Sequence, residues 1–153
     1  MSYMGVKHLN IINFLTGKNS SGKSTLIDAM QVVLLGETDG TSFNKAADIK
    51  ANRSFTSYII GELGDDVNGG EKSLRGGKEF TTQLVCEFKD TMNDEYFCIG
   101  ILVDSYSDMA NAKRVFFRLR DRLDESDYIY NNQPRNINQF KSWCREKYGK
   151  DDK

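Results

Sequence analysis

Hydrophobic positions change period along the chain, and each change marks an element. Leu9 to Leu15 is a short apolar run containing Ile11, Ile12 and Phe14, the pattern of a buried strand. From Lys23 to Leu35 the apolar residues Leu26, Ala29, Met30, Val33 and Leu34 recur at helical spacing and make one face, with Gly36 placed to end the helix. Residues 36–52 are polar and read as a loop. Asn52 or Ser54 would cap the next element, in which Phe55, Tyr58, Ile59 and Ile60 fit a short helix and a strand almost equally well. Gly61 to Glu79 is dense in glycine, which raises the entropy cost of ordering, and reads as a loop with a hairpin turn at Asn68-Gly69-Gly70.

The second half alternates differently. Phe80 to Lys89 places Leu84, Cys86 and Phe88 on one side. Tyr96 to Asp104 is a continuous apolar run, suited to a strand covered on both faces. Arg114 to Arg122 alternates again, with Val115, Phe117 and Leu119 inward. Short polar links join these runs, so an antiparallel meander is expected. Pro134 closes the loop after Tyr130. Asn136 then caps a helix that turns Ile137, Phe140, Trp143, Cys144 and Tyr148 to the core and stops at Gly149.

The candidate chemistry sits between the first strand and the first helix. Gly17-Lys18-Asn19-Ser20-Ser21-Gly22-Lys23-Ser24-Thr25 fits G-x-x-x-x-G-K-[ST], the phosphate-binding loop. At average composition a chance match in a chain this long has odds of about half a per cent. The glycines let consecutive backbone N–H groups turn inward toward a phosphate, and the helix start adds partial positive charge there. Lys23 would reach the β- and γ-phosphates and Ser24 would place its hydroxyl on Mg²⁺.

Composition narrows the partners. The chain has 153 residues, a net charge of −1 and an apolar fraction of 39%, enough for one domain or part of one, with no global field toward nucleic acid or membrane. No apolar run reaches the length of a membrane span and no signal-peptide pattern opens the chain. Cys86, Cys98 and Cys144 are widely spaced, form no metal pattern and read as reduced thiols of a cytosol. The single histidine, His8, has no ligand set around it. Two local features remain. Ile101-Leu102-Val103-Asp104 looks like a strand ending in a Mg²⁺-holding aspartate, although Ser105 follows where a water-polarising glutamate would stand. Arg118, Arg120 and Arg122 fall on the outward face of the last strand, a surface for DNA phosphates or an ordinary solvated face.

Several of these pieces together resemble one family. Leu15-Thr16-Gly17-Lys18-Asn19 and Gly22-Lys23-Ser24-Thr25-Leu26-Ile27-Asp28-Ala29 resemble the N-terminal head segment of SMC-like ATPases of the ABC superfamily. Val33-Leu34-Leu35-Gly36-Glu37-Thr38, Phe43-Asn44-Lys45-Ala46-Ala47, Arg53 with Tyr58, and Gly61-Glu62-Leu63-Gly64 are similar to the SMC-like subunit of Wadjet-type plasmid-defence systems, in the MukB/MksB condensin group. The resemblance spans most of residues 6–148. It implies an α/β fold: the N-terminal half of an ABC/SMC-type P-loop NTPase head over residues 1–149, with a mixed sheet, the P-loop helix and an antiparallel β lobe, and a frayed tail at 150–153. It implies ATP and Mg²⁺ as cofactors, and it carries over Gly17, Asn19, Gly22, Lys23, Ser24 and Thr25 as nucleotide ligands. The partners it implies are DNA, reached through the parent complex, a second head half, and kleisin-type and nuclease subunits in the cytoplasm, with no membrane.

Three departures shape the expectation. Leu9 to Phe14 runs straight into the loop where the family has a longer lead-in. Ser20 stands where the family most often has glycine. No coiled coil, LSGG-like signature or complete Walker B acid pair is present. The expected activity is therefore ATP binding without hydrolysis by the chain alone. Two alternatives stand beside it: a self-contained small P-loop NTPase or kinase using Asp104 as its Walker B acid, and a non-catalytic remnant acting as an interaction module.

Overall fold

The computed structural model of the protein describes residues 15–18, 22–39, 43, 54–61, 73–106 and 112–149. Their centre is an antiparallel meander of β1 (Phe80–Asp90), β2 (Glu95–Ser105) and β3 (Lys113–Leu119), in that spatial order. The middle strand is the continuous apolar run. Alternation sends Ile99, Ile101 and Val103 to one face, while Cys98, Gly100 and Leu102 turn to the other. The register pairs Leu84 with Ile101 and Leu102 with Val115, so like-facing side chains from all three strands meet. β3 ends at Leu119, three residues short of the sequence expectation.

Two helices cover the first face. α1 (Lys23–Leu35) and α2 (Phe55–Ile60) bring Val32, Val33, Phe55 and Ile59 against Ile101 and Val103, with Phe43 completing the cluster. Of the two forms that residues 55–60 could take, α2 is the helix. The Ser54 side chain accepts from the Ser57 N–H at 3.0 Å and the Ser57 hydroxyl accepts from the Ser54 N–H at 3.0 Å, a reciprocal cap that favours the helical turn.

Beyond β3 the chain makes a short helix, α3 (Glu125–Tyr128), then a tight hairpin of β4 (Ile129–Tyr130) and β5 (Gln133–Pro134). Asn131 and Asn132 take φ of 49° and 60°, the left-handed turn that fits a two-residue hairpin, and asparagine tolerates it better than most residues. The hairpin delivers the chain to α4 (Ile137–Tyr148), which covers the second face through Ile137 and Phe140 against Leu102, Val115 and Phe117. Gly100 is required at this junction: a Cβ there would lie 2.7 Å from the Leu84 carbonyl oxygen and 2.7 Å from the Phe117 ring.

Several expectations meet the structure directly. α1 begins and ends where the pattern placed it, with Gly36 at φ 70° and its N–H donating to the Val32 carbonyl. α4 is capped by Asn136, whose side chain accepts from the Gln139 N–H at 2.9 Å. The buried face of α1 is a correction. It runs through Asp28, Val32 and Val33, while Leu34 is 47% exposed, because a buried aspartate is invisible to a count of apolar positions. Pairing among the described strands is antiparallel throughout, so the expected mixed sheet reduces to an antiparallel one there. The expected strand Leu9 to Leu15 lies outside the described residues except for Leu15, which is in no regular element. Asn68-Gly69-Gly70, Arg53, His8 and the tail 150–153 also lie outside them.

Candidate phosphate-binding site

The site is built on the start of α1. Its N-cap is Gly22, held in the left-handed region at φ 85°, ψ 10°, a conformation that glycine adopts without the Cβ penalty. Gly22 has no side chain to cap the helix, and the first turn contains no acidic residue. The positive end of the helix dipole lies at this point, which favours an anion there.

Lys23 closes the loop from below. Its Nζ donates to the Gly17 carbonyl oxygen at 2.8 Å and to the Lys18 carbonyl oxygen at 2.6 Å. The ammonium is therefore folded across the loop, at the helix start, rather than extended from it. Ser24 occupies the first turn and is half-buried, and Thr25 beside it is exposed. Asn19, Ser20 and Ser21 lie outside the described residues, so the structure brings together Gly17, Lys18, Gly22, Lys23, Ser24 and Thr25 of the predicted set. These residues fit a phosphate and its cation: a positive helix end, a cation at the loop and a hydroxyl on the first turn.

One residue that sequence reasoning missed lies directly behind this group. Asp28 is 2% exposed, packed beside Val32 and Val33, and accepts a hydrogen bond from the Tyr58 hydroxyl of α2. The available signal was its spacing, four residues after Ser24 on the same helix face. Beside the pair a cavity of about 380 Å³ opens between α1, α2 and β1, lined by Asp28, Tyr58, Arg75, Leu84 and Cys86 among others. Thr25 lines it while Lys23 and Ser24 do not, so the cavity adjoins the candidate phosphate loop from the side of α1 that faces α2.

Asp104 does not join the site. It belongs to the face of β2 that carries α4, opposite the face that carries α1. Its carboxylate accepts from the Thr81 hydroxyl at 2.9 Å and from the Ile137 N–H at 3.1 Å, and so it anchors the first turn of α4. The self-contained kinase reading needed a parallel sheet with Asp104 beside Ser24, and the antiparallel register removes it.

The arginines also divide. The expectation put Arg118, Arg120 and Arg122 on one strand face, but β3 stops at Leu119, leaving Arg120 and Arg122 beyond it. Arg118 lies over the Phe97 ring at 5.5 Å. Arg122 lies over Tyr96, which belongs to the opposite face, and its Nε is 3.7 Å from Glu87. They do not form one basic stripe. Burial pushes the thiols of Cys86, Cys98 and Cys144 up from their ordinary value, which leaves them poorly ionised and weak as nucleophiles. Among the described residues no cluster of three or more His, Cys, Asp or Glu has metal-binding geometry, and no helix is long and apolar enough to cross a membrane.

Comparison with known proteins bears on the same segment. No curated protein matches the chain. Residues 3–50 match a family model described as the P-loop containing region of AAA domain. The match encloses the loop, its lead-in and all of α1, and this part of the chain is a P-loop NTPase-like segment suited to nucleotide binding.

Proposed function

We propose that the chain is the ATP-binding N-terminal head segment of an SMC-like, DNA-handling ATPase, of the kind that extrudes DNA loops in plasmid defence or chromosome organisation, and that it is incomplete for hydrolysis by itself. The observation that carries this is the Lys23 ammonium folded over the carbonyls of Gly17 and Lys18 at a helix start whose N-cap is a left-handed glycine. The P-loop family match over residues 3–50 supports the nucleotide part of the reading. The narrower family rests on the motif resemblance from Val33 to Gly64, and the antiparallel meander beside the P-loop helix agrees with it.

The division of labour among the residues follows. Lys23 exchanges its two loop carbonyls for phosphate oxygens, the α1 amides hold the same phosphates, and Ser24 orients the cation with its hydroxyl. Mg²⁺, when bound, spreads the charge of the β- and γ-phosphates. Asp104, the strand-end carboxylate considered for holding Mg²⁺, is occupied with Thr81 and the start of α4. DNA, a second head half, and kleisin-type and nuclease subunits are the partners this reading proposes, in the cytoplasm.

The test is calorimetric titration of ATP with Mg²⁺ into the protein and into Lys23→Ala. The wild type is expected to bind, Lys23→Ala to bind at least about tenfold more weakly for the loss of a charge-assisted contact, and neither to turn over ATP. Equal affinity in the two proteins, or none in the wild type, would refute it.

A further inference from the structure

Asp28 is a carboxylate in a place that ordinarily excludes one. It is 2% exposed and shares its layer with Val32, Val33, Phe55 and Ile59. Burying a carboxylate in such a layer costs several kcal/mol unless it is hydrogen-bonded, and an apolar residue would pack there at no such cost. Tyr58, which donates to Asp28, is held in place by its own helix. Tyr58 is on α2, whose reciprocal Ser54–Ser57 cap fixes the helix start. Phe55 and Ile59 anchor the same helix in the core, at 2% and 4% exposure. The Tyr58 ring meets Phe43 edge-on, with centroids 5.1 Å apart and planes at 82°. The hydroxyl is therefore aimed at Asp28 by packing rather than by chance of rotamer.

Position then gives the pair a direction. Asp28 follows Ser24 by four residues, one helical turn, which puts their Cβ atoms about 5–6 Å apart on one face. α1 has no acid in its first turn, so Asp28 is the first carboxylate along α1 behind the phosphate loop. A carboxylate one turn behind a hydroxyl ligand favours a cation at that ligand by its charge, and its bond to Tyr58 ties that stretch of α1 to α2.

We infer that Asp28 and Tyr58 form a positioning pair for the metal-holding serine, in which α2 clamps the P-loop helix one turn behind Ser24 so that Ser24 meets the nucleotide's divalent cation in a fixed orientation. The pair touches neither nucleotide nor metal. This rests on the nucleotide-binding reading above and deepens it: α2, far along the chain from the loop, sets the metal dependence of binding.

The readout is the affinity for ATP measured twice, once with Mg²⁺ and once in EDTA, for the wild type, Tyr58→Phe and Asp28→Asn. Tyr58→Phe keeps the ring against Phe43 and removes only the hydroxyl, so it holds the test even if Asp28→Asn fails to fold. With Mg²⁺ both variants are expected to bind ATP about tenfold more weakly, while in EDTA they stay within about twofold of the wild type. The double variant is expected to be no weaker than the weaker single one, because the pair acts as a unit. Equal losses with and without the cation would reduce the pair to core packing and overturn the inference, as would no loss in either. A wild type that binds no nucleotide at all would instead overturn the nucleotide reading itself, and the inference with it.

Discussion

The two helices that flank the sheet are built on opposite plans. α4 satisfies itself. Asn136 caps its start, Asp104 takes the next N–H, Arg145 and Lys147 sit in its last turn, and Ile137 and Phe140 are buried. α1 does not. Its start is a bare glycine, its last turn has no basic residue, and Ile27, Leu34 and Leu35 are 44%, 47% and 61% exposed. The contrast teaches where stability and function are divided. α4 is closed by its own chain and secures the lobe, whereas the glycine-capped start of α1, with no acid in its first turn, is suited to an anion.

That contrast can be broken most forcefully at Phe140, which is 3% exposed and stacks near Phe117 and Trp143. Phe140→Ala is expected to destabilise the lobe by about 3–5 kcal/mol in denaturant unfolding. ATP affinity per folded molecule should stay unchanged. A smaller effect is expected from Asp104→Ala, which frees the Thr81 hydroxyl and the Ile137 N–H: about 1–2 kcal/mol of stability. The Mg²⁺ dependence of ATP binding should not move. If it did, Asp104 would belong to the metal site after all.

The smallest and most specific effect is at the far end of α4. The Tyr148 hydroxyl donates to Asp121 at 2.8 Å, and Lys147 lies 3.0 Å from the same carboxylate. The Tyr148 hydrogen bond, with Lys147 beside it, holds Asp121 below its ordinary value of 3.8. Burial, and then the bond to Asp121, push Tyr148 up to about 12. Burial pulls the Lys147 ammonium down, and its bonds to Asp121 and Tyr148 more than reverse that, so the net shift is upward. The signs follow from linkage. The lowered Asp121 contributes stability present above 3.8 and lost as pH falls through its folded value. The raised Tyr148 contributes stability present below 10 and lost as pH rises toward 12. Hydrogen exchange of the α4 amides is expected to show a flat plateau between these limits, and Tyr148→Phe to lower it by about 1 kcal/mol or less, since the group is partly solvated.

The sequence was most legible where one period ran uninterrupted. The limits of α1 and α4, the capping by Asn136, and the three strands of the meander were all readable from apolar spacing and glycine stops. What escaped depended on contacts between distant residues. The true buried face of α1 follows from a hydrogen bond to a tyrosine thirty residues away. The role of Asp104 follows from strand direction, which the motif Ile101-Leu102-Val103-Asp104 does not encode. α3 and the hairpin were missed although their signals were local: an Asp124 N–H bonded to the Asp127 carboxylate and an Asn131-Asn132 turn. The candidate phosphate loop was legible as a motif, and the Asp28–Tyr58 pair behind the helix was not.

Gly100 shows how much can hang on one absent methyl group. The Phe117 ring lies across the middle strand because nothing projects from residue 100, and Phe140 rests near that ring with centroids 4.8 Å apart. Any side chain at this point would tilt the ring and lift α4 from its seat. Ile137 would then drift from Asp104, and the helix would lose its cap contact as well as its contact surface. The least conspicuous residue of β2 thus sets how closely helix and sheet can approach, and so how much substitution this half of the molecule will tolerate.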